Sequence, residues 1–118
     1  MYRKELIKGT LRIVILRLLD QEGRLYGYQM TKLVAARSAG NYQLSEGSLY
    51  PLLHKLVKED LLEVESEKVN GRSRRYYRIT EARRAAAEQE LVKMESELKE
   101  TPASAKARAV VRPMPLAP

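Results

Sequence analysis

The amino-acid sequence predicts a mainly α-helical fold with one small β-hairpin, on the basis of three observations. Apolar residues recur at helical spacing in four segments between about residue 10 and residue 99. One segment, from Leu62 to Glu67, instead alternates with glutamate at every second position, which is typical of a half-exposed strand. Asn70-Gly71 follows it, and Asn-Gly is a strong signal for a two-residue hairpin turn. The predicted order is three helices, a hairpin and a last helix.

The first helix has its apolar residues on one face, at the spacing i, i+3, i+4, i+7 and i+8. These are Leu11, Val14, Ile15, Leu18 and Leu19. Thr10 is a candidate N-cap, although Leu6 and Ile7 allow an earlier start, and Gly23 marks the end. A second helix is predicted from about Gly27 to Arg37, and residues 38–41 form the turn that follows it.

The third helix contains a proline, which costs about 3 kcal/mol in a helix interior. Its leucines gather on one side of a helical wheel, whereas Pro51 points to the other side, with Ser48 and Lys55 on one flank and Tyr50 on the opposite flank. If Ser48 is the N-cap, Pro51 lies in the first turn, where its missing N–H has no helical partner. If Ser45 is the cap, one hydrogen bond is lost and the first turn is kinked.

The start of this helix offers polar groups to a ligand. The hydroxyls of Ser45, Ser48 and Tyr50 can donate to phosphates or base edges, and free N–H groups at a helix start favour an anion. The alternative is that the two serines only cap the helix and that Tyr50 only packs against the core.

Charge is segregated along the hairpin. Residues 59–67 hold five acidic residues and no basic one, whereas the next eleven residues hold five basic residues and no acidic one. Arg75 and Arg78 lie within the second strand, and we expect them to pair with the acids of the first strand. Arg72 and Arg74 lie at or beside the turn, beyond easy reach of those acids, and we expect them to bind phosphates.

The last helix is predicted to begin at Thr80-Glu81, with a capping hydroxyl and an acid in the first turn, and to run to about Lys99. Four of its apolar residues follow the 4-3-4 spacing of a short coiled-coil seam, namely Ala87, Leu91, Met94 and Leu98. Such a helix can fold back on its own domain, but further alanines widen its apolar face beyond what a small core covers. We expect dimerisation through Leu91, Met94 and Leu98.

Three helices followed by a hairpin with a basic tip form the winged version of the helix-turn-helix. The predicted domains are a winged helix-turn-helix over residues 1–80, a dimerisation helix over 81–100 and a disordered tail over 101–118. The tail holds four of the five prolines and no aromatic residue. Its removal is expected to leave folding and DNA binding intact.

Composition excludes several classes of protein. The 118 residues suit one domain, and without cysteine the chain has no disulfide, thiolate nucleophile or cysteine metal site. The longest aliphatic run, Ile13 to Leu16, is far too short to span a membrane, so a soluble cytoplasmic protein is expected. His54 is the only histidine, and no carboxylate pair stands out, so we expect no enzyme, metal site or cofactor. The net charge of +7 favours a polyanion such as nucleic acid.

Three stretches resemble the PadR family of transcriptional regulators. Residues 44–56 (LSEGSLYPLLHKL) resemble the family's recognition helix, residues 25–30 (LYGYQM) its entry to the second helix, and residues 74–82 (RRYYRITEA) its second wing strand. The resemblance covers about residues 6–98 and is similar to the compact subfamily, which dimerises through its first and last helices. Asp60 and Arg83 stand where the family usually has glycine, and aspartate tolerates the left-handed backbone that such a turn needs.

The resemblance implies that the third helix enters the major groove of double-stranded DNA and that the wing lies along the backbone or minor groove. The family's usual DNA contacts map onto Tyr26, Tyr28, Ser45, Ser48, Tyr50, Pro51, Lys55, Arg72 and Arg74. It further implies a homodimeric repressor of a palindromic operator. The alternative is a protein–protein module whose basic wing docks an acidic partner. Some family members bind flat aromatic effectors between subunits, but this chain has no Trp, no Phe and no aromatic residue after Tyr77, so an aromatic clamp is not expected.

Overall fold

The computed structural model describes residues 4–5, 8–40 and 42–97, together with positions 105, 108, 110 and 111. Its helices are α1 (Lys8–Glu22), α2 (Gly27–Arg37), α3 (Glu46–Lys58) and α4 (Arg84–Glu97), with one 3₁₀ turn (Glu81–Arg83) before α4. Its strands are β1 (Lys4–Glu5), β2 (Leu25–Tyr26), β3 (Tyr42–Gln43), β4 (Leu62–Val69) and β5 (Arg72–Ile79). The predicted fold, mainly α with a hairpin wing, is confirmed.

The wing is a three-stranded antiparallel sheet in the order β2-β5-β4. Asn70 and Gly71 join β4 to β5 with φ angles of 52° and 78°, the left-handed pair that a type I′ turn requires. Strand β2 was not predicted, because two residues are too short to show an alternating pattern. It pairs Tyr26 with Tyr76 of β5 and so ties the wing to the segment that leads into α2.

The structure decides between the two predicted starts of α3. The Ser45 side chain accepts a hydrogen bond from the Ser48 backbone N–H at 3.2 Å, so Ser45 is the N-cap. Pro51 therefore lies inside the helix, and the carbonyl of Gly47, four residues earlier, lacks its helical donor. Gly47 is exposed, so water can reach that carbonyl and the missing bond costs less than it would in the core.

The junction before the last helix differs from the prediction. The Thr80 hydroxyl does not cap the helix; it donates to the Asp60 carbonyl at 3.0 Å instead. Asp60 has a φ of 63°, so aspartate adopts the left-handed turn where glycine is usual, as expected. Thr80 thus links the end of the wing to the end of α3, and a 3₁₀ turn precedes α4.

The core forms around α1, whose residues Val14, Ile15, Leu16 and Leu18 are completely buried. Because α1 is surrounded on several sides, its apolar positions extend beyond a single stripe. The other helices and the wing add buried side chains from Met30, Val34, Leu49, Leu53, Leu56, Leu62, Tyr77 and Ile79.

Helix α4 packs on α1 of its own chain. Leu91 is 1% exposed within the common core, and Met94 packs against that core at its edge. Arg17 of α1 strengthens the contact through ion pairs to Glu95 at 2.6 Å and Glu88 at 2.9 Å. Leu91 is therefore buried within its own chain and is not exposed to a partner, so α4 folds back on its own domain. Leu98 lies outside the described residues.

Part of the segment after α4 also packs on the domain. The described positions 105, 108, 110 and 111 have helical backbone, and Val110 and Val111 are buried in the core cluster. The prediction of disorder is wrong for these positions, because the two valines find an apolar surface at the ends of α1 and α2. Composition alone does not reveal such a surface.

Candidate nucleic-acid interface

The outer face of α3 carries the side chains that the sequence predicted to face DNA. Tyr50, Pro51, His54 and Lys55 are exposed on this helix, whereas the leucines of the opposite face are buried or half-buried. The wheel derived from the sequence therefore gives the right orientation of the helix. Pro51 has no N–H to donate, whereas Lys55 offers an exposed positive charge.

The two serines at the start of α3 have different roles. The Ser45 hydroxyl donates to the Ser48 hydroxyl oxygen at 3.1 Å and accepts from the Ser48 backbone N–H. Ser45 is thus committed to the cap. Ser48 accepts from Ser45 and keeps its own hydroxyl hydrogen, which can still be donated to a phosphate or a base.

Tyr50 joins α3 to the start of α2. Its ring lies across Gly27, so close that a Cβ atom on residue 27 would clash with the Tyr50 hydroxyl and lie 2.9 Å from Cζ. Partial burial, with help from the charge of Glu46, raises the pKa of Tyr50 above its ordinary value. The hydroxyl therefore stays protonated at neutral pH and can act as a hydrogen-bond donor.

A polar groove of about 400 Å³ opens between the start of α2, α3 and the wing. Its lining residues are Tyr26, Gly27, Tyr50, Ser73, Arg74, Arg75 and Tyr77. The groove continues the exposed face of α3 onto the hairpin, so one molecule could contact both elements at once.

The two arginines within β5 behave differently. Arg78 pairs with Glu63 at 2.6 Å and Glu65 at 3.0 Å, as predicted. Arg75 lies opposite Ser66, lines the groove, and makes no ion pair with any acid in the described part of the chain. Pairing of Arg75 with the acids was therefore a wrong prediction. The period of two in a strand, counted from the Asn-Gly turn, would have placed Arg75 on the face opposite the glutamates.

Four side chains stack on the outer face of the sheet. The Arg74 guanidinium lies 4.2 Å from the ring centroid of Tyr26, which meets Tyr76 edge-on at 5.4 Å. Arg24 covers Tyr76 at 4.1 Å and also pairs with Glu67 at 2.9 Å. Arg74 and Tyr26 thus hold the wing against the start of α2. Sequence reasoning missed Arg24, because its partners lie on strands distant in the sequence.

The remaining predicted contacts lie at the two edges of this face. Arg72 is exposed at the tip of the hairpin, opposite Val69, and has no ion pair among the described residues. Tyr28 is 58% exposed in the first turn of α2, with the Lys32 ammonium 5.1 Å above its ring. Neither residue lines the polar groove; both are exposed beyond its edges.

The model of the PadR-like family of transcriptional regulators matches residues 15–89, a span that includes α2, α3 and the whole wing. The chain belongs to the PadR family. PadR-family proteins are DNA-binding regulators of transcription and not enzymes, so the exposed face of α3 and the adjoining groove lie on a transcriptional regulator. Within the described residues, no group of three or more His, Cys, Asp or Glu side chains could hold a metal ion. No described helix is long and apolar enough to cross a membrane.

Several known proteins are similar to this chain over most of its length. An uncharacterized protein of Lysinibacillus sphaericus is 37% identical over 101 residues, which cover 85% of this chain and 91% of that one. A PadR-like transcription factor of Bacteroides fragilis has a TM-score of 0.58 and 34% identity, over 75% of this chain and 80% of the other. Bacillus subtilis PadR, solved in complex with operator DNA, has a TM-score of 0.62 and 24% identity, over 78% of this chain and 50% of that one.

Proposed function

We propose that this PadR-family regulator is a repressor that binds a palindromic operator as a homodimer, with α3 in the major groove and the wing along the backbone. The observation that supports this most directly is the continuous face formed by the exposed side of α3 and the groove that contains Arg75. The complex of Bacillus subtilis PadR with operator DNA supports the same use of the fold.

The proposed contacts divide into readers and anchors. Ser48 and Lys55 stand on the exposed half of α3 and offer hydrogen-bond donors to base edges. Arg72 and Arg75 carry charges that no described acid neutralises, so they anchor phosphates. Tyr28 adds a phosphate contact at the start of α2. The other residues shape this face. Ser45 caps α3, Pro51 bends it, and Arg74 stacks on Tyr26.

Homodimerisation is proposed through the face of α4 that α1 leaves uncovered. Val92 is 54% exposed there, beside exposed alanines at positions 82, 85 and 86. This face takes the place of the seam inferred from the sequence, because Leu91 is already buried in the chain. Met94 lies on the opposite side of α4, against the core, and so is not part of this face. Leu98 lies outside the described residues and stays a prediction from the sequence. A two-fold dimer would present two copies of α3 to half-sites about one DNA turn apart.

The dimer has a direct test. Light scattering of the wild-type chain at micromolar concentration should give twice the monomer mass of 13.5 kDa. Val92→Glu should shift the protein towards monomer, because a charge would enter the apolar contact. Val64→Glu is the matched control, since Val64 is also exposed but lies on the wing. A wild-type monomer, or an equal effect of both substitutions, would contradict the proposed interface.

DNA binding is tested by mobility shift with the DNA upstream of the protein's own gene against a shuffled sequence of the same length. We expect a discrete complex with the first DNA and only weak, salt-sensitive binding to the second. No preference between the two would contradict binding near its own gene, and no binding to either would favour the protein–protein module.

A further inference from the structure

Val110 and Val111 lie beyond the part of the chain that the PadR-family model matches, which ends at residue 89. Val110 is nevertheless 0% exposed, and Val111 is also buried, in the same cluster as the side chains of α1 and α2. Ala105, by contrast, is exposed. The described positions of the C-terminal segment therefore have one face against the domain and one face towards solvent.

Polar contacts fix where the segment lies. The side-chain amide of Gln21, in the last turn of α1, donates to the Val111 carbonyl. The guanidinium of Arg37, the last residue of α2, donates to the Val110 carbonyl at 3.2 Å and to the Gln21 side-chain oxygen at 2.6 Å. One short stretch of backbone thus contacts the C-terminal ends of two different helices.

The surroundings of Arg37 indicate that the contact between the C-terminal segment and the two helices is an integral part of the domain. Its side chain is only 11% exposed, and its Nε atom is buried without a hydrogen-bond partner in the described structure. A buried guanidinium is costly unless acceptors surround it, and here the acceptors are Gln21, the Val110 carbonyl and Glu22 at 3.4 Å. Without the segment, Arg37 would lose one of these acceptors, and the apolar surface under the two valines would be open to water.

We propose that the C-terminal segment containing Val110 and Val111 docks on the ends of α1 and α2 of its own chain, as a clamp that holds the two helices together. Helix α2 carries Gly27 and Tyr28 at its other end, beside the polar groove. By holding the C-terminal end of α2, the clamp also fixes the N-terminal end of this helix, which borders the proposed DNA-binding surface. The segment is a structural part of the winged helix-turn-helix in this chain, so its removal should lower the Tm, in contrast to what the sequence led us to expect.

Hydrogen exchange of the full-length chain, followed by mass spectrometry, tests the clamp. Peptides that include Val110 and Val111 should exchange slowly in the wild type, because these two residues are buried against the domain. Val110→Asp should abolish this protection and speed exchange at the C-terminal ends of α1 and α2, with a fall in Tm of roughly 5–10 °C. The matched control is Ala105→Asp, which adds the same charge on the exposed face and should leave both readouts unchanged.

A milder substitution, Val110→Ala, separates undocking from general unfolding: it should loosen residues 105–111 while the centre of α1 stays protected. Exchange at the rate of an unstructured peptide in the wild type would overturn the proposal, as would equal effects of Val110→Asp and Ala105→Asp. Protection that is lost when the protein is diluted to the monomer would also overturn it, since the segment would then dock on a second copy.

Discussion

Replacing Gly27 with alanine is expected to destabilise the protein by about 1 kcal/mol, the low end of the cost of overpacking, because the part-exposed Tyr50 ring can move away. The φ angle of Gly27 lies outside the left-handed region, so its backbone would accept alanine. The cost arises from Tyr50, whose hydroxyl occupies the place of the new methyl group. Operator binding should fall as well, because the Tyr50 ring must leave its position at the edge of the groove.

The destabilisation caused by Gly27→Ala should depend on Tyr50. In a Tyr50→Ala background, the methyl group at residue 27 has room, and Gly27→Ala should then stabilise the protein by up to about 1 kcal/mol through helix propensity. The substitution therefore changes sign between the two backgrounds. Chemical denaturation of the wild type, both single variants and the double variant measures this coupling as a double-mutant cycle.

Gly47→Ala is the matched control. Gly47 also lies in the first turn of a helix, and its φ angle also lies outside the left-handed region, but nothing stands within 4 Å of a Cβ atom built there. Alanine at this position should leave the free energy of unfolding unchanged or slightly raise it. If Gly27→Ala were as harmless as Gly47→Ala, or equally costly in both Tyr50 backgrounds, the contact between Tyr50 and Gly27 would not position α3.

Local sequence signals predicted the elements that are decided by neighbours along the chain. The bounds of α2, Gly27 and Arg37, agree with the prediction, which depended on the helical spacing of Met30, Leu33 and Val34. The hairpin turn follows from Asn70 and Gly71, whose left-handed backbone few other residues accept as readily. The outward face of α3 follows from the spacing of its leucines.

What the sequence did not predict depends on contacts between distant segments. The spacing of Leu91 predicted a dimer seam, but the residue packs in the core with α1 of the same chain. Val110 looks like part of a disordered tail because its segment has four prolines, no aromatic residue and no regular apolar period, yet Val110 and Val111 are both buried against the domain. Thr80 looks like a cap, and only the position of the Asp60 carbonyl reveals its other partner.

Arg75 is a different case, because its position on the strand was available from the sequence. Counting from the Asn-Gly turn pairs Arg75 with Ser66 and Arg78 with Glu63. Charge segregation alone suggested that Arg75 and Arg78 both pair with an acid, whereas the register places only Arg78 of these two on the face of the glutamates. The register therefore distinguishes Arg78, whose charge is paired within the wing, from Arg75, which has no ion pair among the described residues.

This separation leads to the last prediction, that the wing anchors DNA and α3 reads it. Arg72→Ala and Arg75→Ala should each weaken binding to operator and random DNA about equally, because phosphate contacts are independent of sequence. Each lost contact should reduce the slope of log K against log salt by roughly 0.9, and a symmetric dimer loses two contacts per substitution. Arg78→Ala is the matched control, since Arg78 is already paired with Glu63 and Glu65, and its slope should stay near that of the wild type.

Lys55→Ala should behave in the opposite way. Lys55 is exposed on the α3 face expected in the major groove, where a good base contact contributes roughly 1–3 kcal/mol of discrimination. Its loss should reduce the difference in binding affinity between operator and random DNA. Arg72→Ala and Arg75→Ala should leave that difference, or gap, nearly unchanged. Titrations of all four variants against both DNAs at several salt concentrations measure the gap and the slope together. If the wing variants narrow the gap and Lys55→Ala does not, the two roles are reversed and the hairpin is the element that reads sequence.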